Sequence, residues 1–86
     1  MTVEDYIQYL SEKGFQFGED AIGFITFGHH YTGASEAQVN VAIEITLKAQ
    51  REFVGSFFIS LLETLKENRI VERKAALRFM QQKRII

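Results

Sequence analysis

The stretch "FGEDAIGFITFGHHYTG", residues 17–33, decides between a helical protein and a mixed one. Ala21, Phe24, Ile25 and Gly28 recur at helical spacing, and Glu19 with Asp20 suits the positive end of a helix dipole. Against this, Gly23 and Gly28 would each cost about 1 kcal/mol inside a helix. The run "GFITF" also reads as a short strand. A lone strand finds no partner elsewhere in the chain, so helix is the expectation, with the glycines marking close contact to a neighbouring helix.

The flanking segments are helical in pattern. Thr2 and Asp5 have capping-box spacing, each side chain able to bond an open amide at a helix start. Val3, Tyr6, Ile7 and Leu10 follow at i, i+3, i+4, i+7, until Gly14 supplies a left-handed stop with Phe15 behind it. Ser35 and Gln38 form a second capping box. From there the apolar positions Val39, Val41, Ala42, Ile43, Ile45 and Leu47 spread over more than half the wheel, leaving Asn40, Glu44, Lys48 and Arg51 as the polar side. So wide an arc predicts a helix packed on several sides. A fourth helix starts near Ser56 and groups Phe57, Phe58, Leu61, Leu62 and Leu65, with Asn68 as a stop. A fifth begins at about Glu72 and runs through Ala75, Ala76, Phe79 and Met80. The expected fold is all-α: one domain over 1–86, a small bundle of four to five short helices with the helix at 35–51 central.

Composition sets limits. The chain has 86 residues, 47% hydrophobic and 24% charged, values of an ordinary globular domain. Its stability should be about 4–13 kcal/mol. Eight Phe and no Trp make a core of phenyl rings. Cysteine is absent, which excludes disulfides and thiolate metal sites. Proline is absent where average usage predicts about four, so no stiff linker divides the chain. The opening "MTVEDYIQ" lacks the positive region and apolar run of a signal peptide, and "FVGSFFISLL" falls far short of the ~20 residues that cross a bilayer. A cytoplasmic setting without membrane contact is expected.

No residues spell out catalysis. His29 and His30 are adjacent, so they point apart, and no ligand-spaced His or Glu surrounds them. Glu19 and Asp20 follow no apolar run that would desolvate them, and a helix start explains both. The glycines form no phosphate loop, and Ser35, Ser56 and Ser60 lack a nucleophile-elbow context. No enzyme, cofactor, metal site or small-molecule substrate is expected.

Charge is unevenly spread. Residues 1–43 carry one basic and six acidic side chains, while residues 44–86 carry nine basic and five acidic. On the last helix Arg73 and Arg84 lie on one flank of the apolar arc, and Lys74 and Arg78 on the other. Long basic stems commonly border a core this way with their heads in water. The alternative is a phosphate-binding set of Lys66, Arg69, Arg73, Lys74, Arg78, Lys83 and Arg84.

The fourth helix carries a family resemblance. "FFISLLETLKENRI" resembles the aromatic-x-x-x-aliphatic-aliphatic…Ile signature of the C-terminal helical module of DnaD-like primosomal proteins. Phe57 stands at the aromatic position, Leu61 and Leu62 at the aliphatic pair and Ile70 at the closing aliphatic. Leu65 occupies the place of that family's Trp and Arg69 the place of its Gly. The resemblance implies an all-helical module that binds DNA and assembles with other proteins. Around "FGEDAIGFITFG" the chain also resembles short proteins of Gram-positive spore-forming bacteria, which implies no function.

The functional expectation is a small cytosolic interaction or regulatory module that docks through a helix face, by self-association or with another protein. Its anchors are expected at Val41, Ile45, Phe57, Phe58 and Ile59. The rival is the DNA-associated module.

Overall fold

Residues 19–32 are helix, and the reason lies in what they pack against. In a computed structural model describing residues 1–86, the chain forms five α-helices and no strand. They are α1 (Val3–Glu12), α2 (Glu19–Thr32), α3 (Glu36–Gln50), α4 (Gly55–Glu67) and α5 (Arg73–Gln82). Of the two glycines inside α2, only Gly28 marks a close approach. A Cβ there would stand 2.7 Å from Ile59 Cδ1 and 3.0 Å from both Leu62 Cδ1 and Phe58 Cε2. Gly23 has nothing within 4 Å of that position. The contact is reciprocal, because the ring of Phe24 lies against Gly55 at the start of α4. Further along, the Lys66 ammonium donates to the Gly33 carbonyl at 3.4 Å. The pairs 24–55, 28–59 and 33–66 ascend together, so α2 and α4 run parallel.

Between them α3 returns and touches all four other helices. Its central place follows from its width: Val39, Ala42, Ile43, Ile45 and Thr46 are fully buried and Val41 nearly so. Thr46 is tolerated there because its hydroxyl donates to the Ala42 carbonyl at 2.7 Å. The core is completed by Ile25 of α2, Phe58, Leu61, Leu62 and Leu65 of α4, and Ala76 and Met80 of α5. The radius of gyration is 11.7 Å, against about 12 Å expected for one compact domain of this length.

The helix starts show how local signals and tertiary contacts combine. The Ser35–Gln38 box is complete: Ser35 Oγ accepts from the Gln38 amide at 3.1 Å, and Gln38 Oε1 accepts from the Ser35 amide at 3.0 Å. Gln38 is also buried, and its Nε2 donates to the Ile70 carbonyl at 2.8 Å, tying the start of α3 to the α4–α5 connection. The Thr2–Asp5 box is only half made. Thr2 Oγ1 accepts from the Asp5 amide at 3.0 Å, but the open Val3 amide is taken at 2.8 Å by Glu36 Oε2, from the first turn of α3.

Three helix ends close alike. The amides of Phe15, Ile70 and Ile85 donate back to the carbonyls of Leu10, Leu65 and Met80 at 2.8, 2.9 and 2.9 Å, the long bond of a Schellman motif. The left-handed residue is Gly14 after α1, but Arg69 (φ 55) after α4 and Arg84 (φ 60) after α5.

Candidate interaction face

Helix α2 has two unlike sides. One turn of roughly 100° per residue puts Ala21, Ile22, Ile25, Gly28, His29 and Thr32 inward and Asp20, Gly23, Phe24, Phe27, His30 and Tyr31 outward. Burial follows this division: Ile25 and Gly28 are buried, and the other four inward residues are half-buried. Outward, Phe24, Phe27 and Tyr31 are 45%, 57% and 67% exposed. The rings of Phe27 and Tyr31 stack at 5.2 Å. Beside them Glu19, Asp20, Gly23, Phe24 and Phe27 border a shallow depression of about 310 Å³. Phe24 also covers Gly55 of α4 with its inner edge, whereas the Phe27 and Tyr31 rings are not needed to complete the core, which closes beneath them.

The anchors expected from sequence lie elsewhere, and three of them are corrected. Val41, Ile45 and Phe58 are buried in the protein's own core, because α3 is covered on every side that carries them and Phe58 fills the space under Gly28. Phe57 and Ile59 are half-buried, Ile59 against Gly28 and Phe57 beside Leu61, Met80 and Ile85. Phe24, read on one stripe with Ile25, sits at the border of the two sides, its ring against Gly55 of α4 and its outer edge exposed. The signal for the outward strip was present in the 24, 27, 31 spacing, but a second apolar stripe on the same helix masks it.

The basic residues do not converge on one surface. Arg73 is held by Glu44 through two bonds, Nε to Oε1 at 2.7 Å and Nη2 to Oε2 at 2.6 Å. That hydrogen-bonded guanidinium holds the Glu44 carboxyl below its usual range. Lys66 reaches the end of α2, and the Lys83 ammonium lies 5.4 Å over the Phe79 ring. Arg69, Lys74, Arg78 and Arg84 are exposed and make no salt bridge.

Near Arg73, the side chains of Tyr6, Asn40, Val41 and Glu44 border an open cleft of about 260 Å³. Asn40 Nδ2 donates to the Met1 carbonyl at 3.0 Å, while its Oδ1 is buried without a partner. Burial, reinforced by the Glu44 charge, pushes the Tyr6 hydroxyl up to about 12. The rings of His29 and His30 lie 5.8 Å apart, and no group of three or more His, Cys, Asp or Glu side chains is gathered as a metal site. No helix is long and apolar enough to cross a membrane.

Fold and face together define a five-helix all-α domain that presents an aromatic helix to solvent. The chain belongs to a family of unknown function, DUF6123, which matches it over residues 1–86. Neither the curated proteins nor the solved structures contain a match.

Proposed function

We propose that this protein is a small cytosolic interaction or regulatory module that docks through the outer face of α2 and carries out no catalysis itself. The exposed Phe24–Phe27–Tyr31 strip is the observation that carries this reading. Full burial of one large apolar side chain contributes roughly 1.5–3 kcal/mol, so three half-exposed rings supply a usable docking energy. They also sit on a rigid helix, so little ordering entropy opposes binding.

A photoreactive phenylalanine analogue at position 27 tests it. Irradiated in the cells that make the protein, it should give covalent adducts of defined mass. The same group at Gln81, on the exposed side of α5, should give none. An absence of adducts at position 27 overturns the reading.

A DNA-associated role, as in the DnaD-like proteins that α4 resembles, is the second reading. It is favoured by Arg69, Lys74, Arg78 and Arg84, four exposed cations of the C-terminal region that make no salt bridge. Arg69 also takes the left-handed conformation at the place where that family has Gly. Neutralising about three phosphates would make log K fall against log salt with a slope near −2 to −3. No DNA binding at low salt removes this reading.

A further inference from the structure

The outer face of α2 is graded along its length. Glu19 and Asp20 occupy its first turn, and the Lys66 ammonium stands at its far end over the Gly33 carbonyl. Between them lie a hole and a knob. Nothing comes within 4 Å of a Cβ built at Gly23, and the Tyr31 ring projects with two thirds of its surface free. Gly23 and Tyr31 stand at equal sequence distance on either side of Phe27. A two-fold axis at Phe27 therefore carries each hole onto the other knob. It also carries each acidic end onto the other Lys66.

Resting on the docking reading of α2, we propose that the occupant of this face is a second copy of the chain. Its α2 lies antiparallel, with the axis at Phe27. Phe27 meets its symmetry mate, Tyr31 enters the second copy's Gly23 notch, and Glu19 and Asp20 face the second copy's Lys66. A parallel pairing would set acid against acid and lysine against lysine. The antiparallel one pairs opposite charges and opposes the two helix dipoles. Two helices about 21 Å long bury less than the ~800 Å² per partner of a standard interface, so the dimer is weak and exchanging.

The absence of cysteine makes the test clean, since any introduced thiol is the sole one in the chain. Phe27→Cys, at a protein concentration of about 50–100 µM under mild oxidation, should form a disulfide dimer. It should do so about tenfold faster than Gln81→Cys, because pairing raises the local thiol concentration to the millimolar range. A mixture of Gly23→Cys and Tyr31→Cys should yield the mixed dimer in preference to either homodimer, which fixes the antiparallel register. Sedimentation of the unaltered chain from about 10 to 500 µM should show a monomer–dimer equilibrium. Phe27→Asp should abolish it without loss of helical signal, since residue 27 is exposed. Asp20→Lys should weaken it, and adding Lys66→Glu should restore it.

A chain that stays monomeric throughout, with Phe27→Cys no faster than Gln81→Cys, overturns the second copy as occupant. Position-27 photoadducts of other masses would then leave the docking reading standing. Loss of all adducts would remove both.

Discussion

Replacing Gly28 with alanine adds one methyl group to α2 at the point where it touches α4, and the same change at Gly23 adds it to open solvent. Both glycines lie inside a helix, so each substitution should gain roughly 0.8–1 kcal/mol in helix propensity. At Gly23 nothing opposes the gain. The chain should become about 1 kcal/mol more stable, or about 5 °C in melting temperature for a domain of this size. At Gly28 the new methyl falls 2.7 Å from Ile59 Cδ1, which can rotate because Ile59 is only half-buried. Leu62 Cδ1 and Phe58 Cε2, both 3.0 Å away, belong to fully buried side chains and yield only if α4 shifts. Overpacking of this kind costs typically ~1–3 kcal/mol, so after the propensity gain the net loss should be about 1–2 kcal/mol. Urea and thermal unfolding followed by far-UV circular dichroism, at low protein concentration, measure both. A Gly28→Ala chain as stable as the parent would refute the close α2–α4 approach, and a destabilised Gly23→Ala chain would refute the outward assignment of that residue. Gly23→Ala carries a further signature: by filling the notch it should weaken the dimer while strengthening the monomer.

Gln38→Leu removes half of a cap and orphans the carbonyl of half-buried Ile70. It should cost about 2–3 kcal/mol by denaturant unfolding, whereas Ser35→Ala, which loses only the cap, should cost about 1 kcal/mol. Arg69→Gly should stabilise by about 1 kcal/mol, because glycine takes the φ 55 conformation without the penalty an L side chain carries. Tyr6 titrates at about 12 in the fold against 10.0 when unfolded. The neutral phenol is thus the favoured native form. Its contribution is complete below pH 10 and is lost as pH rises through 10 toward 12, roughly 1–2 kcal/mol after allowing for partial exposure. Tyr6→Phe should remove this part of the alkaline sensitivity. Glu44 has the opposite sign: its carboxyl is depressed by Arg73, so its contribution holds above the ordinary carboxylate range and is lost as pH falls below it. In Arg73→Leu, the Glu44 side-chain NMR titration should move upward.

What was legible in the sequence is what neighbouring residues decide among themselves. Ser35 and Gln38 lie within one turn, and so do Gly14 and the end of α1, so their hydrogen bonds need no tertiary partner. The breadth of the α3 apolar arc likewise foretold its central position. It did not foretell that Val41 and Ile45 point into the chain's own core, because an all-round apolar helix looks the same whether its last side meets its own domain or another. Gly28 was ambiguous because its reason lies on α4, thirty residues away in sequence. The open Val3 amide beside the half-made Thr2 box finds Glu36, and Arg73 finds Glu44 across a comparable gap; neither partnership leaves a local trace. The left-handed Arg69 and Arg84 were invisible for another reason, since glycine is the residue that ordinarily announces that conformation.

The parallel course of α2 and α4 has an electrical consequence. The returning α3 cancels the peptide field of one of the two, so α2 and α4 together leave about one helix dipole along their shared direction. Glu19 and Asp20 cover the positive pole of α2, and Lys66 covers the negative pole that α2 and α4 share. Strip those three charges and the protein should turn more strongly in an applied field, a change that dielectric relaxation would register although its net charge moves by only one unit.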